Sequence, residues 1–227
     1  MDTTKRCKAV FFDLGGTLRI ALREEAYERH ARRKLAELAG TDLPFEEFYQ
    51  MVESRYGLYR SWALGENKEA GDEELWCQWL LPDYDVGRTR QVCHELSFQY
   101  RQSKGRRVVV DGGAEVLRTL HRRGYKLGII SNLIGEHEVP DWLEEDGLDR
   151  YFDSVVLSSV CHVRKPDPGI YGIAVRELGV APEDCVSVAD NVKRDIAGAR
   201  DAGIGCNIIF RSPEKKHAGE FTEATRP

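Results

Sequence analysis

From Gly105 onward the chain alternates short apolar runs with amphipathic stretches, a rhythm that demands a parallel α/β sheet. Helical patterns are read over residues 113–123, 139–145, 169–178 and 193–202, and strand patterns over 125–131, 153–157, 186–189 and 206–210. Parallel strands joined in this way need right-handed crossovers. The fold class is therefore α/β. The punctuation agrees: Gly124, Gly147, Gly179 and Gly203 each follow a helical pattern where a left-handed cap residue is wanted, and Pro168 stands where a first helical turn tolerates a missing N–H.

Between Arg19 and Lys104 the rhythm stops, and only helical segments are read, around residues 24–38, 45–62, 73–81 and 87–103. Trp62, Trp76, Trp79 and many of the tyrosines fall there, which predicts the aromatic core of a small helical bundle. The expected organisation is a core of residues 1–18 and 106–227 with an all-helical cap inserted over 19–105. The chain crosses between the two near Arg19 and near Lys104–Arg106, so hinges are expected there. The tail, residues 211–227, is polar and aperiodic and is given no structure.

Composition excludes several functions. A net charge of -5 over 227 residues offers no basic field for a phosphate backbone, so no nucleic-acid partner is expected. No apolar run reaches the roughly 18 residues of a membrane span, and the start lacks an apolar signal core; a cytoplasmic protein with no membrane partner is the expectation. Cys7, Cys77, Cys93, Cys161, Cys185 and Cys206 are scattered and read as reduced, mostly buried thiols. The six histidines are equally dispersed, and no zinc site is expected.

Four segments carry chemistry, each at the carboxyl end of a strand pattern, where open parallel sheets bind ligands. Ala9-Val10-Phe11-Phe12-Asp13-Leu14-Gly15-Gly16-Thr17-Leu18 delivers a lone carboxylate, Asp13, into a glycine turn. Leu127-Gly128-Ile129-Ile130-Ser131-Asn132 ends a strand in a hydroxyl and an amide. Val163-Arg164-Lys165-Pro166-Asp167-Pro168 sets a lysine before a helix start, and Val186-Ser187-Val188-Ala189-Asp190-Asn191-Val192-Lys193-Arg194-Asp195 empties a strand into two acids.

In this order and context the four resemble the motifs of the haloacid dehalogenase superfamily of hydrolases. The resemblance implies a Rossmann-like parallel sheet core, a helical cap after the first motif, and a phosphatase acting on a small phosphorylated metabolite. Asp13 would be the nucleophile, Ser131 a donor to the phosphoryl group, and Lys165 the partner of both anions. Gly16, Thr17 and Asn132 would contact substrate. Magnesium would be held by Asp13, Asp190 and the carbonyl of Gly15, with Asn191 and Asp195 behind it.

One residue departs from the pattern. The family's phosphatases read Asp-x-Asp-Gly-Thr, and the second aspartate, the general acid and base, is here Gly15. Glycine also suits a positive φ that aspartate tolerates poorly. A weakened phosphohydrolase is the leading expectation, with an acid borrowed from Glu66, Glu69, Asp72, Glu73 or Glu74 of the cap, or restriction to good leaving groups. The alternatives are a dehalogenase-like hydrolase, a Schiff-base relative using Lys68, and a non-catalytic binder of a phosphorylated ligand or a protein.

Overall fold

The computed structural model describes residues 7–210. Strand β1 (Ala9–Phe12), buried on every residue, runs at the centre of a five-stranded parallel sheet. A four-residue strand β2 (Arg19–Leu22) follows it, and the chain then leaves the sheet through helices α1 (Glu25–Ala39), α2 (Phe45–Glu66), α3 (Asp72–Glu74) with a π-helical continuation over Leu75–Leu80, and α4 (Val86–Gln102). It returns through β3 (Arg106–Val109), which pairs antiparallel with β2. The remaining elements are α5 (Gly113–Arg122), β4 (Lys126–Ser131), α6 (Glu138–Glu145), β5 (Ser154–Leu157), α7 (Ser158–Cys161), α8 (Gly169–Leu178), β6 (Cys185–Ala189), α9 (Ala197–Asp201) and β7 (Cys206–Ile209). The sheet order is β5-β4-β1-β6-β7, so the chain crosses over β1 and turns back, a Rossmann-like α/β arrangement.

The strand and helix patterns agree with these elements to within a few residues. Gly124, Gly147, Gly179 and Gly203 all take positive φ. Two features were not legible. The crossing points are paired in a two-stranded ribbon, β2 with β3, and the expected helix over 193–202 begins as a π-turn over Val192–Ile196. The reduced-thiol reading fits six free cysteines, but only Cys93 and Cys185 are fully buried, and Cys206 is exposed. The tail reading lies outside the described residues. Among the described residues no helix is long and apolar enough to cross a membrane.

The insertion has its own core, in which Trp76, Tyr59, Phe48, Leu35 and Leu96 are almost wholly buried. Trp62 and Trp79 stack at 5.0 Å on its flank, and Trp76 Nε1 donates to Ser97 Oγ at 2.8 Å. The aromatic richness thus serves packing. Where the ribbon meets the sheet layer, buried Glu138 at the start of α6 is ringed by Arg19, Arg101 and Arg107. Burial opposes ionisation of Glu138, but the three guanidiniums outweigh it and hold the carboxyl below its ordinary value of 4.5. Arg19 is 5% exposed and stacks on Trp142 at 4.2 Å.

Two outcomes follow from this packing. Trp76→Ala removes a fully buried indole and its hydrogen bond, and urea unfolding should show a loss of about 3–5 kcal/mol. Glu138 has a folded pKa below its unfolded one, so its contribution is complete above the unfolded value and fades as pH falls through the folded pKa. Glu138→Gln should therefore cost about 3–5 kcal/mol at neutral pH, with the urea midpoints of variant and parent converging in acid.

Candidate active site

Asp13 follows β1 directly, its backbone N–H still donating to Val188 O at 2.9 Å, so the position of the carboxylate is fixed by the sheet ladder itself. β4 ends beside it in Ser131, whose hydroxyl donates to Asp13 Oδ1 at 3.4 Å. Asp190 follows β6 on the other side. The turn after Asp13 closes through Leu14 O and Gly16 N, both bonded to Arg19, and this pairing leaves out the Gly15 carbonyl. The positive φ of this turn falls on Gly16, at 86°, and not on Gly15.

Lys165 is the hub of the site. Its side chain is 1% exposed, and its ammonium donates to Asp13 Oδ1 at 2.8 Å and to Ile130 O at 2.8 Å and forms an ion pair with Asp195 Oδ1 at 2.6 Å. Asn132 fixes the lysine's backbone from both sides: Lys165 N donates to Asn132 Oδ1 at 2.8 Å, and Asn132 Nδ2 donates to Lys165 O at 2.9 Å. The amide expected to contact substrate is thus committed to the Lys165 loop. Asn191 likewise turns its oxygen to Arg194 N at 2.9 Å and caps the π-turn. Tyr171 OH donates to Asp195 O at 3.0 Å from beneath.

Arg194 is the residue that the sequence reading missed. Its Nη2 lies 3.3 Å from Asp13 Oδ2, 3.3 Å from Asp195 Oδ2 and 3.7 Å from Asp190 Oδ1. The acids at 190 and 195 drew attention, whereas a helix-start arginine gave no signal of which way it would turn. The carboxylate oxygens of Asp13, Asp190 and Asp195 lie within 4.8 Å of one another, so hard oxygen donors suited to a divalent cation are gathered here. Burial raises the Asp13 carboxyl above its usual range against the pull of Lys165. For Asp195 the same burial is outweighed by Lys165 and Arg194, and its carboxyl is held low. Asp195 is the firmer anion of the two.

None of the five cap acids bonds to Asp13, Ser131 or Lys165. Glu69 is buried and satisfied by Tyr59, Ser158 and Arg164. Asp72 binds His94 and Ser97, and Glu73 pairs with Arg90. Lys68 is exposed and forms a bridge with Val163. A cavity of about 770 Å³ opens between the ribbon, α4 and α6, lined by Arg19, Arg107, His94, His137 and Trp142, and Asp13 is not among its walls.

The fold is a Rossmann-like α/β domain, and the buried carboxylate at the end of its central strand, beside a lysine and further acids, stands where open parallel sheets bind ligands. Residues 7–203 match the family described as haloacid dehalogenase-like hydrolase, and the chain belongs to that family. It is 32% identical over 206 residues, covering 87% of this chain and 81% of the relative, to a glyceraldehyde 3-phosphate phosphatase of Methanopyrus kandleri. It is 31% identical over 140 residues to a phosphoserine phosphatase of Thermus thermophilus, covering 59% of this chain and 54% of that one. Its fold matches a 2-haloacid dehalogenase from Pseudomonas syringae with a TM-score of 0.62 at 22% identity, over 88% of this chain and 84% of that one.

Lys165→Met leaves Asp13 and Asp195 buried together without the nearer of the two cations they share. A loss of about 3–5 kcal/mol is expected in urea unfolding. Adding Asp195→Asn should recover part of it, and a double-mutant cycle reads that coupling.

Proposed function

We propose that this protein is a magnesium-dependent phosphohydrolase acting on small phosphorylated metabolites through an aspartyl-phosphate on Asp13. The observation that carries the reading is the buried Asp13, 2.8 Å from Lys165 and within 4.8 Å of two further carboxylates. One oxygen of Asp13 attacks phosphorus, the bond to the leaving oxygen breaks, and water then attacks the acyl-phosphate to regenerate the carboxylate. Lys165 holds nucleophile and phosphoryl oxygens together, and Asp195 holds Lys165. Ser131 donates to the phosphoryl group. The Thr17 hydroxyl, buried and without a hydrogen-bond partner, supports an acceptor arriving in the glycine turn.

Magnesium suits Asp13, Asp190 and the Gly15 carbonyl, and when bound it supplies charge neutralisation to the phosphate. Arg194 stands among the same carboxylates and has to swing aside for it. With Gly15 in place of an acid, the leaving oxygen departs without a positioned proton donor, so acyl and aryl phosphates are the favoured substrates. The named activities of the relatives make glyceraldehyde 3-phosphate and phosphoserine the first natural substrates to test.

Asp13→Asn should abolish phosphate release while leaving the fold intact; turnover near that of the parent would remove the covalent route. Calorimetry with inorganic phosphate present should show magnesium binding weakened more by Asp190→Ala than by Asp195→Ala. Gly15→Asp should raise turnover of alkyl phosphates by up to about 10²–10⁴-fold. The position accepts the side chain, since Gly15 lies outside the left-handed region and a Cβ there meets nothing within 4 Å. A folded, magnesium-binding variant with no gain would show that the missing acid does not limit the rate.

A further inference from the structure

A second group of metal-ligating side chains lies away from Asp13. His94 projects from α4, while Glu136 and His137 come from the loop between β4 and α6. One ligand atom from each lies within 4.8 Å of the other two, and the two imidazoles meet edge to face with centroids 4.2 Å apart. The group is backed by Asp72, whose side chain is 1% exposed. Asp72 Oδ2 accepts from His94 Nδ1 at 2.8 Å and from Glu136 N at 3.1 Å, and Oδ1 accepts from Ser97 Oγ at 2.5 Å. Glu136 Oε1 in turn accepts from Asp72 N at 2.7 Å.

This backing is what a metal-binding histidine requires. A carboxylate on Nδ1 fixes the tautomer with its proton there, so Nε2 presents a lone pair on the open side. We propose that His94, His137 and Glu136 form a site for a zinc-like divalent ion. Two imidazoles and one carboxylate select zinc, cobalt or nickel over magnesium, and three protein ligands leave one position open. His94 and His137 both line the 770 Å³ cavity, and Glu136 lines a second cavity beside Gly71 and Glu73. One ligand belongs to the inserted helices and two to the loop on the sheet edge. The bound ion therefore pins the insertion to the sheet layer at a place where Asp72 already docks.

The test uses the full-length protein and zinc or cobalt alone. Metal content after equilibrium dialysis and the cobalt absorption spectrum should report a site of nitrogen and oxygen ligands, retained in Asp13→Asn. His94→Ala and His137→Ala, both exposed positions, should each remove that equivalent, and Asp72→Asn should weaken it by about 10–100-fold. Zinc should slow hydrogen exchange in α4 and in residues 132–137 of the parent but not of His94→Ala. Unchanged metal content in both alanine variants, or a cobalt spectrum dominated by thiolate charge transfer, would overturn the proposal. Because the readouts are binding and exchange, the result is independent of whether Asp13 hydrolyses phosphate esters.

Discussion

The ammonium of Lys165, held between Asp13 and Asp195, is the interaction on which the site depends. Three ionised groups at the bottom of a protein interior would each cost several kcal/mol in lost hydration if left alone. They are tolerable because the Lys165 ammonium lies between the two carboxylates and donates to Asp13 and Ile130, and because the lysine's backbone is fixed by Asn132. The sheet supplies the rest. Asp13 and Ser131 end neighbouring parallel strands, so their spacing follows from the ladder register and needs no flexible adjustment. A site built on strand ends is held to the precision of the backbone hydrogen bonds.

Charge explains why such a cluster still has use for a ligand. Asp13, Asp190 and Asp195 face two cations, Lys165 and Arg194, leaving one net negative charge when all are ionised. A divalent ion taking the place of Arg194 would bring the sum to zero and ease the approach of a phosphate dianion; without one, the phosphate meets Asp13 across an unfavourable field. Arg194 occupies the gap among the carboxylates, where its charge offsets their mutual repulsion.

The helical insertion is attached to the sheet layer through buried charge as well as apolar packing. Glu69 meets Ser158 and Arg164, one residue before Lys165, and Glu138 gathers Arg19, Arg101 and Arg107 from β2, α4 and β3. These networks tie the orientation of the insertion to the loop that carries Lys165. Two of the acids that looked available in place of Gly15, Glu69 and Asp72, are consumed in holding the two parts together. Using Glu69 as a proton donor would mean breaking its buried ion pair with Arg164.

The sequence by itself determined the strand–helix rhythm, the cap glycines, the family and the chain positions of Asp13, Ser131, Lys165, Asp190 and Asp195, because each of these is written in residues adjacent along the chain. Apolar periodicity and turn chemistry are local, and short motifs at strand ends survive being read one at a time. Only the tertiary structure decided what depends on groups distant in sequence. β2 and β3 are four-residue strands whose partners lie across the whole insertion, so neither carries a pattern long enough to announce a ribbon. The direction of Arg194, the commitment of Asn132 to the Lys165 loop, and the meeting of His94 with His137 are likewise products of packing. A sequence fixes which groups exist, but burial and close approach decide which of them share a charge, a proton or a metal.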